Sequence, residues 1–269
     1  MTGPIQVLTQ ARLGAGDILH FDPSAWQGRT AAIIDVPSAY GAPATPVVAQ
    51  TPMKNLIRGG TPAQAKRAFQ IDGGGLHFFG QNTYGVELPL EFLRTSNNFL
   101  LTFWTKLYGG GAQGINNAIV NISNTITGQR HFLINAVANA SNVATDAAAQ
   151  FPGVQQSIWA AGGANLFDSF NVHQHAYEYQ TSADGSQARF LFYLDGQLRL
   201  TTPWVTKVAF DILGPAERGY IGDNQTFTAT FNGLFYRARY DEVSGSGLGQ
   251  AIVTRDWTMN QQRLRAFNG

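Results

Sequence analysis

Short runs of alternating hydrophobic and polar residues, interrupted by Gly, Asn and Pro, dominate this chain. Alternation with a period of two is typical of β-strands with one buried face, and the interruptions are typical of turns. The strongest runs predict strands over Asn98–Tyr108, His131–Ala138, Phe170–Gln180, Ala188–Gly196, Gln197–Trp204, Gln225–Gly233 and Gly233–Val243. Shorter runs predict strands over Ala32–Val36, Gly75–Phe79 and Gly85–Leu90.

The stretch RFLFYLDGQLRL (Arg189–Leu200) places an Asp-Gly step between two alternating runs. In a type I′ turn both central residues need positive φ, which Asp-Gly tolerates. Asp195-Gly196 therefore predicts a tight hairpin whose strands stay in register. A second such step, Asp184-Gly185, lies between the two preceding runs, so Phe170–Trp204 is predicted to be a three-stranded meander.

Helix is predicted in two places. Thr61-Pro62, as N-cap and first helical residue, predicts a short helix over Gly60–Phe69. A Thr-x-x-Gln capping box predicts a second helix over Thr258–Gly269, stopped by the final Asn-Gly.

The rest of the pattern predicts one β domain. The Ala-, Asn- and Gly-rich stretches Gly109–Asn117 and Asn139–Asn165 are predicted to be long loops. Residues 1–50 are predicted to be an irregular N-terminal arm, packed on or extending from a β-sandwich over residues 51–269. Strands with one buried face need a second layer, and the few predicted helices cannot supply it.

The composition narrows the function classes. Of the 269 residues 44% are hydrophobic, enough for a large core, and 13% are charged, about half the usual share. Such a weakly charged surface favours contacts with other subunits or with sugars. A net charge of +1 argues against nucleic acid, and the absence of cysteine excludes disulfides and thiol chemistry. We expect neither a membrane span nor a signal peptide.

Several elements together resemble laminin-G and concanavalin A-like lectin/glucanase domains. They are the His-containing strand Phe170–Tyr179, the Tyr-Leu-Asp-Gly hairpin Tyr193–Gly196, and Phe231–Tyr240, where Phe-Asn-Gly leads into a strand. Upstream, VELPLEF and NNFLLTFWTKL are similar to an early strand pair of that family. The resemblance covers roughly residues 70–243 and implies an all-β, two-sheet antiparallel jelly-roll sandwich. With its Asn- and Ala-rich stretches and its C-terminal AIVTRDWTMNQQRLRAF, the chain also resembles modules of this kind in bacteriophage virion proteins.

Two histidines are candidate site residues. His173 and His175 lie two apart, so they share one face of a strand and could line a pocket or begin a metal site. A metal would need further ligands, which the sequence does not reveal. The resemblance places a structural histidine on this strand, so packing is the favoured interpretation.

Catalytic carboxylates are the next candidates. Glycoside hydrolysis needs two carboxyl groups that flank the bond. Glu87 and Glu91 are separated by a proline, and Asp241 and Glu242 lie on opposite faces of a strand. The Glu-x-Asp-x-x-Glu strand of the related glucanases is missing, so we expect no enzyme activity and assign no catalytic residue.

No cofactor or metal is predicted, although calcium stays open. Lectins of this class sometimes bind it through loop oxygens, which Asp168 and Asp223-Asn224 could supply.

Aromatic side chains are the candidates for stacking on a sugar, whose apolar face suits an exposed ring. Trp159 lies in the Gly-rich stretch SIWAAGG, Tyr84 precedes the strand predicted over Gly85–Leu90, and Tyr108 ends the strand predicted over Asn98–Tyr108. We therefore predict Trp159, Tyr84, Tyr108, His173 and His175 as glycan-binding residues.

The favoured hypothesis is a non-enzymatic structural protein of a bacteriophage virion: a tail, fibre, baseplate or capsid decoration protein. Its partners would be copies of itself, as a homo-oligomer, and other virion proteins. The alternative is a carbohydrate-binding adhesin that recognises a host surface glycan. A glycan hydrolase or lyase is disfavoured, and neither nucleic acid nor membrane is expected as a partner.

Overall fold

The computed structural model describes residues 28–36, 49–80, 85–93, 98–109, 116–124, 130–139, 141, 143–168, 170–208, 217–222, 229–243 and 248–266. Two sheets lie face to face within these residues. Sheet A contains β1 (Gly28–Asp35), β4 (Ile71–Asp72), β5 (Gly75–Phe79), β7 (Phe99–Leu107), β12 (His173–Thr181), β13 (Gln187–Leu194), β14 (Gln197–Thr201), β15 (Val205–Thr206) and β18 (Asn232–Val243). Sheet B contains β2 (Pro52–Met53), β3 (Ala63–Ala65), β6 (Val86–Glu87), β8 (Asn116–Asn124), β9 (Arg130–Ala138), β10 (Ala144–Phe151), β11 (Val154–Ser157), β16 (Glu217–Ile221) and β17 (Ala229–Thr230). An α-helix, α1, spans Leu248–Arg265, and short 3₁₀ turns span Leu90–Leu93 and Gly163–Phe167.

The strand order shows how the sandwich is connected. Sheet A runs β14-β13-β12-β7-β18-β5-β4, and sheet B runs β11-β10-β9-β8-β16-β6-β3-β2. Within the ranges given above, the strand pairings are antiparallel except for the short pair of β8 with β17. The predicted all-β, two-sheet antiparallel jelly-roll sandwich is confirmed.

The main core fills the space between the sheets. Tyr177 and Tyr179 of β12 and Phe190 of β13 point toward sheet B, where they meet Phe132 and Phe151. Tyr177 and Tyr179 lie two residues apart on β12, as do Phe190 and Phe192 on β13. This is the alternation that predicted the strands. The opposite sides of the same strands form the outer face of sheet A.

The Asp195-Gly196 hairpin is confirmed, with φ of 51° and 79°. Its strands are β13 and β14, and with β12 they form the predicted meander. The prediction that they stay in register is wrong: Tyr193 pairs with Leu198, whereas Phe192 pairs with Leu200. A β-bulge inserts one residue there and increases the local twist of the edge strand.

Helix α1 packs on the outer face of sheet A and adds a third layer there. Its Ile252 and Val253 join Leu100, Ala176 and Tyr193 in one apolar cluster. Further along the helix, the Trp257 ring stacks on Trp104 with centroids 5.4 Å apart. None of the helices in the described residues is both long and apolar enough to cross a membrane.

A buried charge network joins this helix to the sheet. One carboxylate oxygen of Asp256 accepts hydrogen bonds from Trp104 Nε1 (2.8 Å) and Gln174 Nε2 (2.9 Å). The other oxygen lies 3.4 Å from Arg237 Nη2 and 3.6 Å from Arg239 Nη1. Burial alone would raise the pKa of Asp256, but the two guanidinium charges and these hydrogen bonds lower it.

Asp35 of β1 extends the network. It pairs with Arg237 at 2.8 Å and with Arg263 of α1 at 2.5 Å. Burial opposes ionisation of Asp35, yet the two arginines hold its pKa well below its ordinary value. The helix, β1 and β18 are therefore joined by ion pairs to the buried carboxylates of Asp35 and Asp256.

A bulge in β18 divides the outer face in two. Leu234 pairs with Lys106 and Phe235 with Thr105, but Arg237 pairs with Trp104. The shift falls where the other neighbour of β18 changes from β5 to β1. Leu234, before the shift, packs near Leu264 at the C-terminal end of α1, whereas Arg237 and Arg239, after it, belong to the charge network.

The helix predicted over Gly60–Phe69 is wrong. Thr61 does not cap a helix; its amide and hydroxyl both donate to Glu91 Oε1, and Ala63–Ala65 forms β3. Ala63 and Ala65 are both buried, so this segment follows the two-residue period of a strand. A tertiary contact outweighed the local capping signal.

The predicted C-terminal helix exists but begins ten residues earlier than expected. Thr258 is an interior helical residue whose hydroxyl donates to the carbonyl of Thr254. The buried positions of α1 include Asp256 and Asn260, and these polar residues hid the helical period in the sequence. The predicted Asn-Gly stop lies outside the described residues.

The long loop predicted over Asn139–Asn165 is wrong, because strands β10 and β11 lie within it. Most of the other predicted loop, Gly109–Asn117, lies outside the described residues, and β8 begins at Asn116. β10 alternates buried alanines with polar residues, and alanine is a weak strand signal. The division of the chain at residue 50 stays a prediction, although β1, inside the predicted arm, is a strand of sheet A.

Candidate functional site

His173 and His175 point from β12 toward the space between the sheets. His173 lies at the rim, where Nδ1 is 2.8 Å from Asp195 Oδ2 and Nε2 is 3.2 Å from Asp168 Oδ2. Burial opposes a charge on His173, but the two carboxylates outweigh it and raise its pKa. The His173 ring therefore links the Asp195 turn to the loop that carries Asp168.

His175 lies inside the core and is fully buried. Its Nε2 is 3.0 Å from Thr105 Oγ1, and its Nδ1 is 3.2 Å from the Tyr177 hydroxyl. Burial, with a smaller effect of the His173 charge, lowers its pKa to about 3. His175 is therefore a neutral packing residue that reaches no surface ligand in this conformation.

Of the other two aromatic candidates, the structure describes Trp159 but not Tyr84. Trp159 is half-buried against the main core, and its ring centroid lies 5.8 Å from that of Phe167. Tyr84 lies outside the described residues. Their predicted contacts with a glycan stay predictions.

The calcium candidates give no ligand cluster in the part of the chain that can be described. The Asp168 side chain accepts from the amides of Phe170 and Asn171, and Asp223-Asn224 lies outside the described residues. Within the described ranges, no group of three or more His, Asp or Glu side chains is arranged to hold a metal ion.

Tyr108 belongs to a different face from the histidines. It follows β7 on the outer side of sheet A, where it packs against a cluster that includes Leu264 near the C-terminal end of α1. Here the imidazole of His77 stacks on Phe79 with centroids 3.9 Å apart and meets the Tyr108 ring edge-on at 5.8 Å. We call Asp72, His77, Phe79, Lys106 and Tyr108 the aromatic patch.

Charged groups border the rings of the aromatic patch. Lys106 Nζ lies 6.0 Å from the centre of the Tyr108 ring, and Asp72 Oδ2 lies 3.5 Å from His77 Nδ1. The Phe79 side chain is solvent-exposed, with 47% of the residue accessible. The patch thus combines an exposed apolar ring with hydrogen-bonding groups of both charges.

Burial sets the protonation states of this patch. It lowers the pKa of His77 more than Asp72 raises it, so that His77 is neutral at pH 7. Burial and the Asp72 charge both raise the pKa of Tyr108, which keeps its hydroxyl as a donor. Neither group takes a new charge near neutral pH.

Sequence reasoning missed His77 and Phe79, although the signal was present. In Gly75–Phe79 the residues Leu76 and Phe78 occupy the core face, so His77 and Phe79 must lie on the other face. Pairing of β5 with β18, and of β18 with β7, then brings them beside Tyr108. That adjacency depends on strand order, which alternation alone does not specify.

The chain is similar in fold to parts of carbohydrate-active proteins. A Trypanosoma rangeli sialidase in complex with 2,3-difluorosialic acid aligns with a TM-score of 0.54 and 11% identity, over 97% of this chain and 39% of that one. An arabinofuranosidase complexed with arabinofuranosyl-α-1,2-xylobiose aligns with a TM-score of 0.53 and 9% identity, over 87% and 63%. A Ruminococcus gnavus sialidase CBM40 bound to α2,3-sialyllactose gives a TM-score of 0.41 and 14% identity, over 68% and 96%.

At these identities the first two matches establish a shared fold. The chain spans less than two thirds of the sialidase and of the arabinofuranosidase that it matches. No protein-family model matches the sequence, and no curated protein does so either.

Proposed function

We propose that this chain is a non-enzymatic glycan-binding module and that the aromatic patch is its binding surface. The observation that carries the proposal is the exposed Phe79 ring, held by its stack on His77 beside Tyr108. The C–H face of a sugar ring packs on such a surface, and the equatorial hydroxyls then reach polar groups at its border.

The polar border supports this reading. Asp72 can accept hydrogen bonds from sugar hydroxyls, and Lys106 and Tyr108 can donate to them. The rings are held by neighbouring strands, so little conformational entropy is lost on binding. The patch as defined carries one carboxylate, whereas hydrolysis needs a flanking pair, which favours binding over cleavage.

A glycan array followed by calorimetric titration of the best hit tests the proposal. We expect Phe79→Ala and Tyr108→Ala each to weaken binding about fivefold, because loss of a stacking ring costs on the order of 1 kcal/mol. Phe170→Ala is the matched control, since Phe170 is 79% exposed and lies outside the patch. An array without hits, with and without calcium, would contradict the proposal, and so would a hit that both variants bind unchanged.

Our second proposal is the structural role in a bacteriophage virion, through contacts with copies of itself. The supporting observation is that β14 is the edge strand at one end of the strand order given for sheet A. Its residue Leu198 is 45% exposed. An exposed strand edge can pair with a strand of another copy. We expect light scattering to detect oligomers that Leu198→Lys disperses; a wild-type chain that stays monomeric at high concentration would count against this role.

A further inference from the structure

A hollow of about 690 Å³ lies on another part of the surface, along the segment that connects strand β2 to strand β3. Its walls are mostly apolar and include Pro52, Leu56, Ile57 and Pro62. This volume lies in the range of small-molecule sites, which combine apolar walls with a few fixed polar groups. The hollow is separate from the aromatic patch and does not depend on the function proposed for it.

Asn55 supplies the fixed polar group. Its Oδ1 accepts hydrogen bonds from the backbone amides of Ile33 and Ile57, each at 3.0 Å. Two N–H donors at one atom identify that atom as the oxygen and fix the orientation of the amide. The Nδ2 atom on the other side is buried and has no hydrogen-bond partner among the described residues.

Gly60 leaves room for this amide. A Cβ atom built at position 60 would overlap with Asn55 Nδ2, and both residues line the hollow. The backbone of Gly60 has no positive φ that would itself require glycine. The absence of a side chain is therefore explained by the space that the amide and its surroundings need.

Two cations complete the lining. Lys54 and Arg58 both border the hollow and are solvent-exposed. Neither forms an ion pair or side-chain hydrogen bond with any residue in the described part of the chain. An unsatisfied buried donor costs free energy, and two unpaired cations next to it favour a negatively charged acceptor.

We propose that this hollow binds a small organic carboxylate. The carboxylate pairs with Lys54 and Arg58 at the surface of the hollow. A shift of the Gly60 backbone, which covers Asn55 Nδ2, then lets the carboxylate accept a hydrogen bond from that atom. The hydrocarbon part of the ligand packs against Pro52 and Leu56. The geometry thus selects an acceptor with a negative charge joined to an apolar body, which a free inorganic anion lacks.

The test follows the side-chain amide signal of Asn55 by NMR of the full chain. The probes are cyclohexanecarboxylate, the neutral cyclohexanemethanol and inorganic phosphate. We expect saturable shifts with the carboxylate and at least tenfold weaker binding of the other two. Unshifted signals with the carboxylate would overturn the proposal, as would equal binding of the alcohol or of phosphate.

Substitutions test the two cations and Gly60 separately. Lys54→Gln and Arg58→Gln should each weaken carboxylate binding several-fold, and the double variant at least tenfold, whereas Arg199→Gln on β14 is the matched control. Gly60→Ala should abolish binding by displacing the amide. If Gly60→Ala does not fold, the exposed Lys54 and Arg58 still decide the question, because affinity unchanged in their double variant would refute the site.

Discussion

The outer face of sheet A has a covered half and an open half on the same strands. Under α1, Trp104, Arg237 and Arg239 meet the buried carboxylate of Asp256. Beyond this network, Lys106 and Tyr108 continue the same face of β7 beside the exposed Phe79. One sheet surface therefore serves a stabilising contact at one end and a proposed ligand contact at the other.

The difference between the halves lies in where the polar groups find partners. In the covered half, charges removed from water must be matched within the protein, and removal of one partner leaves the other uncompensated. In the open half, water or a ligand can match them. The covered half should therefore respond to substitution with a loss of stability, and the open half with a loss of binding.

The same Asp→Asn change in each half gives the largest contrast. We expect Asp256→Asn to lower the free energy of unfolding by up to about 3–5 kcal/mol, because two buried guanidinium groups each lose one of two carboxylate partners. Asp35 still pairs with Arg237, and Asp241 still pairs with Arg239. Urea denaturation followed by fluorescence measures it, and glycan affinity of the folded fraction should not change. Asp72→Asn, on a side chain that is 52% exposed, should change stability by less than about 0.5 kcal/mol. Equal losses of unfolding free energy in the two variants would contradict the proposed difference between the covered and the open half.

The pH dependence of stability separates the contribution of His175, between the two sheets, from that of the charge network beneath α1. His175 has a pKa of about 3 in the folded chain because it is buried, so the unfolded chain binds more protons below its ordinary value of 6.5. Stability must then fall as pH falls through this window, by up to about 1.4 kcal/mol for each pH unit. Asp256 and Asp35 have lowered pKa values, so their contribution to stability is lost only at more acidic pH.

Denaturation at a series of pH values checks this order. We expect His175→Gln to flatten the loss between pH 6.5 and 4, while Asp256→Asn leaves its slope unchanged. His173→Gln is a control of opposite sign, since a raised pKa stabilises the fold below pH 6.5 and the effect is lost as pH rises through the folded value. If the stability of His175→Gln still falls as steeply between pH 6.5 and 4, another group causes the loss.

The two halves also show what sequence can and cannot predict. Alternation predicted β7, β12, β13 and β18 because each has one apolar face, and Asp195-Gly196 predicted its turn because only a few residues accept positive φ. Asp256 was missed because a buried charge looks like a surface charge until its partners are known, and Arg237 lies 19 residues away from it. Phe79 was missed because its neighbours in the patch come from other strands, and strand order is a property of the whole fold.

The smallest expected effect comes from an ion pair at the rim of the covered half. Arg29 of β1 and Glu242 of β18 form two hydrogen bonds of 2.6 and 2.9 Å, which are shorter than any contact between Asp256 and an arginine. Their side chains are 44% and 25% exposed, so water replaces either partner at little cost. We expect Glu242→Gln to lower the free energy of unfolding by less than about 1 kcal/mol, and by less still in high salt. A loss as large as that of Asp256→Asn would mean that bond geometry, rather than removal from water, decides what an ion pair contributes to this face.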